Sequence, residues 1–197
     1  GLVGPGIRPI QDDVRIAGTA VTVLSHPGDN LMIHAAIEQC RDGDLLVVAT
    51  TSPSSDGAFG DLFATALKAR GVRGLVTSTG VRDTADLRAM GFPVWSSAVH
   101  AQGTVKATPG SVNVPIVVAG ATVRPGDVVI ADDDGVVVVP RERAADVLSA
   151  ADARVAKESA DREAYGSGAE LSLDRKGLRP LLAELGIEYV TQAEYEA

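Results

Sequence analysis

Residues 75–91 decide the fold: Leu75-Val76-Thr77-Ser78-Thr79-Gly80-Val81-Arg82-Asp83-Thr84-Ala85-Asp86-Leu87-Arg88-Ala89-Met90-Gly91. The apolar opening Leu75-Val76-Thr77 predicts a strand. Thr79 to Thr84 predicts a turn, and Ala85 to Met90 a short helix that Gly91 ends. A strand that turns directly into a helix is the repeating piece of an α/β sheet.

The same order extends to both sides. Upstream, Ile16 to Leu24 reads as a strand and His26 to Asn30 as a turn. Asp29 or Asn30 can cap a helix running to about Cys40, with Leu31, Ile33, His34 and Ile37 at mixed three- and four-residue spacing. Gly43-Asp44 turns the chain into the strand Leu45 to Ala49. Thr50 to Gly60 reads as a loop, and Asp61 to Arg70 as a helix closed by Gly71. Downstream, Pro93 to Ser96 is another strand. Strand–helix order repeated three times predicts a parallel or mixed sheet with flanking helices.

The two ends read differently. Residues 1–14 are punctuated by Gly and Pro and read as irregular. From residue 103 short strands follow one another: Thr104–Ala107, Val114–Val118, Val128–Ala131 and Val136–Val139. Helical sequence returns from Arg141 to about Tyr165, breaks at 166–168 and ends with a helix around Arg175 to Leu185. No linker divides the chain, so a single domain over 1–197 is expected, with about 141–190 as a helical extension. The chain opens at Gly1, without Met, in Gly/Pro-rich sequence, so an upstream segment is expected.

Composition narrows the function classes. The formal net charge of −8 disfavours nucleic acid as a direct ligand. Aromatic residues are 4% of the chain, so the core must be aliphatic. The single Cys40 forms no internal disulfide and reads as a small buried apolar residue in a reducing compartment. No apolar run approaches the ~18 residues of a membrane span, and no signal peptide opens the chain, so a cytoplasmic location is expected.

Two short stretches carry candidate chemistry. Gly60-Asp61-Leu62 opens a predicted helix, whose free N–H groups and positive dipole end suit an anion. The plainer reading makes Asp61 a helix cap. Arg82-Asp83 follows a strand, where ligands of open α/β sheets gather. A guanidinium can grip a carboxylate or a 2-keto oxygen through two N–H groups. A neighbouring carboxylate can hold Mg²⁺, which takes oxygen ligands and keeps several waters. In the plainer reading Asp83 caps the short helix and Arg82 is solvated.

Other features are weaker. His26, His34 and His100 fit no ligand spacing, and no Gly-x-Ser-x-Gly elbow supports a triad. Lys68, Lys106, Lys157 and Lys176 are open to Schiff-base chemistry in principle, but Lys68, Lys157 and Lys176 lie in charged helical stretches that disfavour a desolvated amine. Asp132-Asp133-Asp134-Gly135 lacks the spacing of a calcium loop and reads as a hairpin turn. There is no P-loop and no dinucleotide fingerprint.

These residues fall in a recognisable order. Gly18-Thr19-Ala20-Val21-Thr22-Val23, Asp29-Asn30-Leu31, Gly60-Asp61-Leu62 and Arg82-Asp83 are followed by Val112-Asn113-Val114-Pro115, Pro125-Gly126-Asp127 and Asp132-Asp133-Asp134-Gly135-Val136 to Pro140. Glu158 and Leu171-Ser172-Leu173-Asp174 come last. From Ile7 to Val190 the chain resembles the 4-hydroxy-4-methyl-2-oxoglutarate / 4-carboxy-4-hydroxy-2-oxoadipate aldolases, within the wider family of the regulator of ribonuclease activity A.

The resemblance implies a fold and a role for each matching position. The fold is an α/β/β/α sandwich of the swivelling β/β/α type, assembled as homotrimers or homohexamers with sites between subunits. Asp83 would bind the divalent metal, Mg²⁺ or Mn²⁺, directly. Arg82 would hold the keto oxygen and the enolate formed from it. Asp61 would orient metal-bound water. Gly60 belongs to the substrate-binding turn, and the N–H groups of Leu62 and Phe63 would bind the pyruvate carboxylate. Glu158 would reach the metal's water shell from a neighbouring subunit.

The activity implied is release of pyruvate from a 4-hydroxy-2-oxo dicarboxylic acid, of the kind met in aromatic catabolism. Oxaloacetate decarboxylation would be a side reaction through the same enolate. The family's non-catalytic ribonuclease regulators generally lack the Asp after this Arg and the Gly-Asp-Leu motif, both present here. The N-terminal helix expected in the family is absent from this sequence. Two other readings stand beside the aldolase: a regulator that docks on an RNA-processing enzyme, and a lyase or decarboxylase for another 2-keto acid.

Overall fold

In the computed structural model, residues 1–190 and 192–196 are described, and they divide into two compact units, Gly1–Ala144 and Ala145–Ala197. The first unit begins with β1 (Arg8–Pro9), β2 (Ile16–Ser25), α1 (Leu31–Ile37), β3 (Asp44–Thr50), β4 (Gly57–Phe59) and α2 (Asp61–Lys68). It continues with β5 (Leu75–Val81), α3 (Thr84–Ala89), β6 (Val94–Val99) and β7 (Ser111–Val112). It closes with β8 (Ile116–Val118), β9 (Ala121–Val123), β10 (Val128–Ala131) and β11 (Val136–Val139).

The expected mixed sheet is present. Its strand order is β1-β6-β5-β3-β2-β10-β11, with β4 added to β5 and β7 to β2. Strands β2, β3, β5 and β6 run parallel, while β10 lies antiparallel to β2 and β11 antiparallel to β10. Central strand β3 explains why: Leu46 and Val48 enter one core and Leu45, Val47 and Ala49 the other. A strand buried on both faces needs an unbroken aliphatic run.

The first core lies under the helices and includes Ile33, Phe63, Leu67 and Leu87. The second packs Trp95 and β10–β11 with the separate β8–β9 hairpin, through Ile116, Val118 and Val123. The Trp95 indole N–H donates to the Asp132 carbonyl at 2.7 Å, which satisfies its one polar atom. Asp134-Gly135 forms the β10–β11 hairpin turn, closed by the Asp132 N–H on the Gly135 carbonyl at 3.0 Å.

Several boundaries differ from the sequence reading. The turn expected at Thr79–Thr84 is strand through Val81, because Gly80 and Val81 pair with Ala98 and Val99 of β6 and with β4 on the other side. The loop expected over Thr50–Gly60 contains β4. Residues 104–107 form a single bridge, Val105 to Asp29, where a strand was expected. Residues 1–14, read as irregular, include β1, and β9 was not anticipated.

The second unit is helical: α4 (Ala144–Gly166), α5 (Ser172–Arg175), α6 (Arg179–Glu184) and α7 (Gln192–Tyr195). Among its described residues no apolar side chain is buried, and Leu148, Val155, Leu171, Leu185 and Val190 are each 60% or more exposed. Ion pairs hold it together. Asp161 accepts from Arg175 at 2.6 Å and from Lys176, while Arg175 also reaches Glu170 at 3.0 Å. Among the described residues no helix is long and apolar enough to cross a membrane.

Candidate functional site

Strand β5 delivers Arg82 and Asp83 to its C-terminal end, and β4 runs beside it into α2. The Arg82 N–H donates to the Phe59 carbonyl at 2.9 Å, so the two stretches singled out in the sequence are stitched together here. Gly60 makes this approach possible. A Cβ at that position would stand 2.2 Å from Asp83 Oδ2 and 3.1 Å from Arg82 Nε.

Asp83 occupies the N-cap position of α3 but makes no side-chain capping bond there. Its backbone is left-handed, with φ 55° and ψ 37°, which turns the carboxylate back towards α2. Asp83 Oδ2 accepts the Asp61 N–H at 3.3 Å and lies 3.5 Å from Arg82 Nε. Asp83 thus caps the neighbouring helix rather than its own. Asp61 is the first helical residue of α2, and Gly60 holds the N-cap, so the plain capping reading of Asp61 fails.

The site is short of partners. The Leu62 and Phe63 N–H groups precede the first closing bond of α2, from Ala64 N–H to the Gly60 carbonyl at 3.2 Å. They are therefore helix-terminal donors that no acceptor among the described residues claims. Arg82 Nε is buried without a hydrogen bond; its 3.5 Å contact with Asp83 is ionic but does not meet hydrogen-bond geometry. The other Asp83 oxygen accepts no bond from the described residues, and the side chain is 34% exposed.

A pocket of about 220 Å³ lies against this corner, lined by Asn30, His34, Ile37, Gly60, Leu62, Phe63, Ala66, Arg82 and Lys106. A second depression on the other side of Arg82 is lined by Asp83, Val99, His100 and Ala101. Gly60, Leu62, Phe63 and Arg82, all sequence candidates, line the first; Asp83 lines the second; Asp61, the first residue of α2, lines neither.

Three polar lining residues were not among the site residues that the resemblance implies: Asn30, His34 and Lys106. Asn30 is the N-cap of α1, His34 lies in its last turn and Lys106 in the 103–108 stretch, so only folding brings them to Arg82. Asp29 makes that possible. It is buried, and its carboxylate accepts the N–H groups of Leu31 at 2.8 Å, Ala107 at 2.8 Å and Thr108 at 2.7 Å. Burial opposes its charge, but these three bonds outweigh it and hold the carboxyl below its ordinary range. Partial burial, and then the charge of Lys106, keep the His34 imidazole below its usual pKa. Its ring meets Phe63 edge-on, with centroids 4.5 Å apart.

Glu158 belongs to the second unit. It accepts from Arg154 at 2.7 Å and from Arg162 at 3.3 Å, and these pairs hold its carboxyl below the ordinary range. Among the described residues no three His, Cys, Asp or Glu side chains cluster as a ready metal cage. Asp83 nevertheless fits a hard divalent ion, because it offers a free carboxylate oxygen at an exposed edge. Mg²⁺ commonly takes one or two carboxylates and fills its shell with water and substrate oxygens.

Comparison with known proteins identifies a family. The family model described as RraA-like: Aldolase/RraA matches residues 1–138. A Halalkalibacterium halodurans protein named "Putative 4-hydroxy-4-methyl-2-oxoglutarate aldolase" is 31% identical over 158 residues, covering 80% of this chain and 73% of that one. A Burkholderia multivorans protein of the same name is 34% identical over 137 residues, covering 70% and 83%. Among solved structures, the RNA-processing inhibitor RraA from Thermus thermophilis superposes with a TM-score of 0.65 at 27% identity, covering 71% of this chain and 85% of that one.

Proposed function

The chain belongs to the RraA-like family, and from that premise we propose that it is a carbon–carbon lyase releasing pyruvate from a 4-hydroxy-2-oxo dicarboxylic acid such as 4-hydroxy-4-methyl-2-oxoglutarate or 4-carboxy-4-hydroxy-2-oxoadipate. The observation that carries this reading is the buried, unpartnered Nε–H of Arg82 at the wall of the pocket, 3.5 Å from the Asp83 carboxylate. A fixed donor in a shielded site is suited to charge that appears only during reaction.

The substrate's first carboxylate sits on the Leu62 and Phe63 N–H groups, and its 2-oxo oxygen faces Arg82. Lys106 supplies a second positive charge for the distal carboxylate. The C4 hydroxyl loses its proton through water to Asp61, C4–O becomes a carbonyl, and the C3–C4 electron pair enters the pyruvate enolate. Arg82 holds the enolate oxygen until the proton taken up by Asp61 returns through water to C3. Mg²⁺ or Mn²⁺, when bound, would supply Lewis-acid charge beside the same oxygen. Asp83 is the residue that would hold it directly, with Asp61 and the partner's Glu158 reaching it through water. Decarboxylation of oxaloacetate gives the same enolate and is an expected side activity.

A homo-oligomer is part of this proposal. The helical second unit leaves its apolar side chains uncovered, and a neighbouring copy would cover them. A non-catalytic regulator is the second reading, supported by the likeness to the RNA-processing inhibitor. In that case Arg82 and Asp83 would be surface contacts with no metal dependence.

One assay separates the readings. Pyruvate release is measured from a panel of 4-hydroxy-2-oxo acids with Mg²⁺, after exhaustive chelation, and after Mg²⁺ or Mn²⁺ is returned. We expect chelation to abolish release and the metal to restore it. No release from any panel member would favour the regulator. Full activity after chelation, with borohydride fixing pyruvate onto Lys106, would replace the metal mechanism by a Schiff base.

A further inference from the structure

The pocket wall holds a second unsatisfied group, of opposite sense to Arg82. Asn30 is 97% buried, counted from its 3% exposure, and lines the pocket. Its Nδ2 donates to the Ala58 carbonyl at 3.1 Å. That bond fixes which end of the amide is which, since a carbonyl can only face the nitrogen. The oxygen is therefore directed elsewhere, and Oδ1 is buried with no hydrogen-bond partner. Leaving a buried acceptor unmade is costly, and native structures tolerate it mainly where a partner arrives later.

The complementarity has a chemical meaning. Arg82 Nε is a donor without an acceptor and Asn30 Oδ1 an acceptor without a donor, each a buried atom of a residue that lines the same pocket. A plain 2-oxo acid can answer the first, because its keto oxygen accepts. It carries no O–H for the second. A 4-hydroxy-2-oxo acid answers both, with a keto acceptor and a hydroxyl donor two carbons apart. We propose that Asn30 reads the C4 hydroxyl of the substrate, accepting its hydrogen bond through Oδ1 and so selecting hydroxylated 2-oxo acids over their deoxy analogues. This rests on the lyase reading for the identity of the ligand. Asn30 is no base; it accepts the hydroxyl hydrogen when the substrate binds, and the C4 O–H then turns from Oδ1 to the water through which its single proton leaves.

A site built to bond a substrate hydroxyl rejects the analogue lacking it far more strongly than an apolar pocket does. The test compares 4-hydroxy-2-oxoglutarate with 2-oxoglutarate in wild type and in Asn30→Ala, with folding checked by circular dichroism. If wild type releases pyruvate, the readouts are KM and kcat/KM for the first compound and the competitive inhibition constant for the second. If it does not, both compounds remain intact and calorimetry gives their Kd values.

We expect wild type to prefer the hydroxylated compound by roughly 10–100-fold, the range of one buried hydrogen bond, and Asn30→Ala to erase most of that preference. Equal weakening of both compounds in the variant would mean that Asn30 only supports the fold, and would overturn the proposal. So would a wild type that does not distinguish them, a result that needs no variant. Absence of pyruvate with the binding preference intact would instead remove the lyase reading and leave the hydroxyl subsite.

Discussion

At residue scale, the site turns on two neighbours whose backbones differ. Asp83 sits at φ 55°, a conformation that Asn and Asp tolerate and most residues resist. Asp83→Asn should therefore keep wild-type stability, whereas Asp83→Ala should lose about 1 kcal/mol from backbone strain. Both should lose metal-stimulated turnover. Thermal unfolding beside a Mg²⁺ titration checks the pair, and metal response surviving in Asp83→Asn would remove Asp83 from the metal site. Arg82→Lys keeps the charge but not the planar fork, and kcat should fall roughly 10²–10³-fold. These two residues were legible in the sequence because they are adjacent and close a strand. The left-handed turn that aims Asp83 at α2 was not, because it depends on an N–H from residue 61.

At element scale, the junction of β4 with α2 is built for contact. Gly60 leaves 2.2 Å between its missing Cβ and Asp83 Oδ2. Gly60→Ala should displace that carboxylate and lower kcat/KM by about 10²-fold, as small misplacements do at a reacting centre. Steady-state kinetics with a thermal melt would show it, and unchanged kinetics would mean that the corner is looser than drawn. Strand β3 was readable because both its faces are buried and its run is aliphatic, whereas β5 was readable only over Leu75-Val76-Thr77, since Ser78-Thr79-Gly80 has the composition of a turn. Elements β1, β7 and β9 have two or three residues each, and only distant partners make them strands. The Asp29 bonds to Ala107 and Thr108 are of the same kind. They decide where Lys106 stands, yet 107 − 29 = 78 residues separate Asp29 from Ala107.

At the scale of the whole molecule, acid should undo one bonded carboxylate in each unit. Asp29 and Asp161 both have folded-state pKa values below the unfolded value. Their stabilisation is therefore complete above the unfolded pKa of about 4 and is lost as pH falls through the folded one. The Asp161 carboxyl, hydrogen-bonded to Lys176 and then Arg175, is held at about 2. Its ion pairs should outlast ordinary carboxylates down to that pH. Carboxyl-carbon NMR would follow both groups, and an Asp161 midpoint near 4 would show that its network is not formed in solution. The family and the mixed sheet were accessible from sequence order alone; the bare apolar surface of the second unit was not, since exposure is a property of packing.

Cys40 closes α1 inside the first core, fully buried, with Sγ donating to the Ala36 carbonyl at 3.3 Å. Burial, then the nearby Asp44 carboxylate, push its thiol up to about 11. At pH 8 roughly one molecule in a thousand would carry the thiolate even if reagent could reach it. The chain's lone sulfhydryl is thus a built-in clock: alkylation at that position can proceed only as fast as the helix layer lifts off the sheet. Mass spectrometry of timed iodoacetamide labelling, with and without a 2-oxo acid, would read how firmly an occupied pocket holds that layer shut.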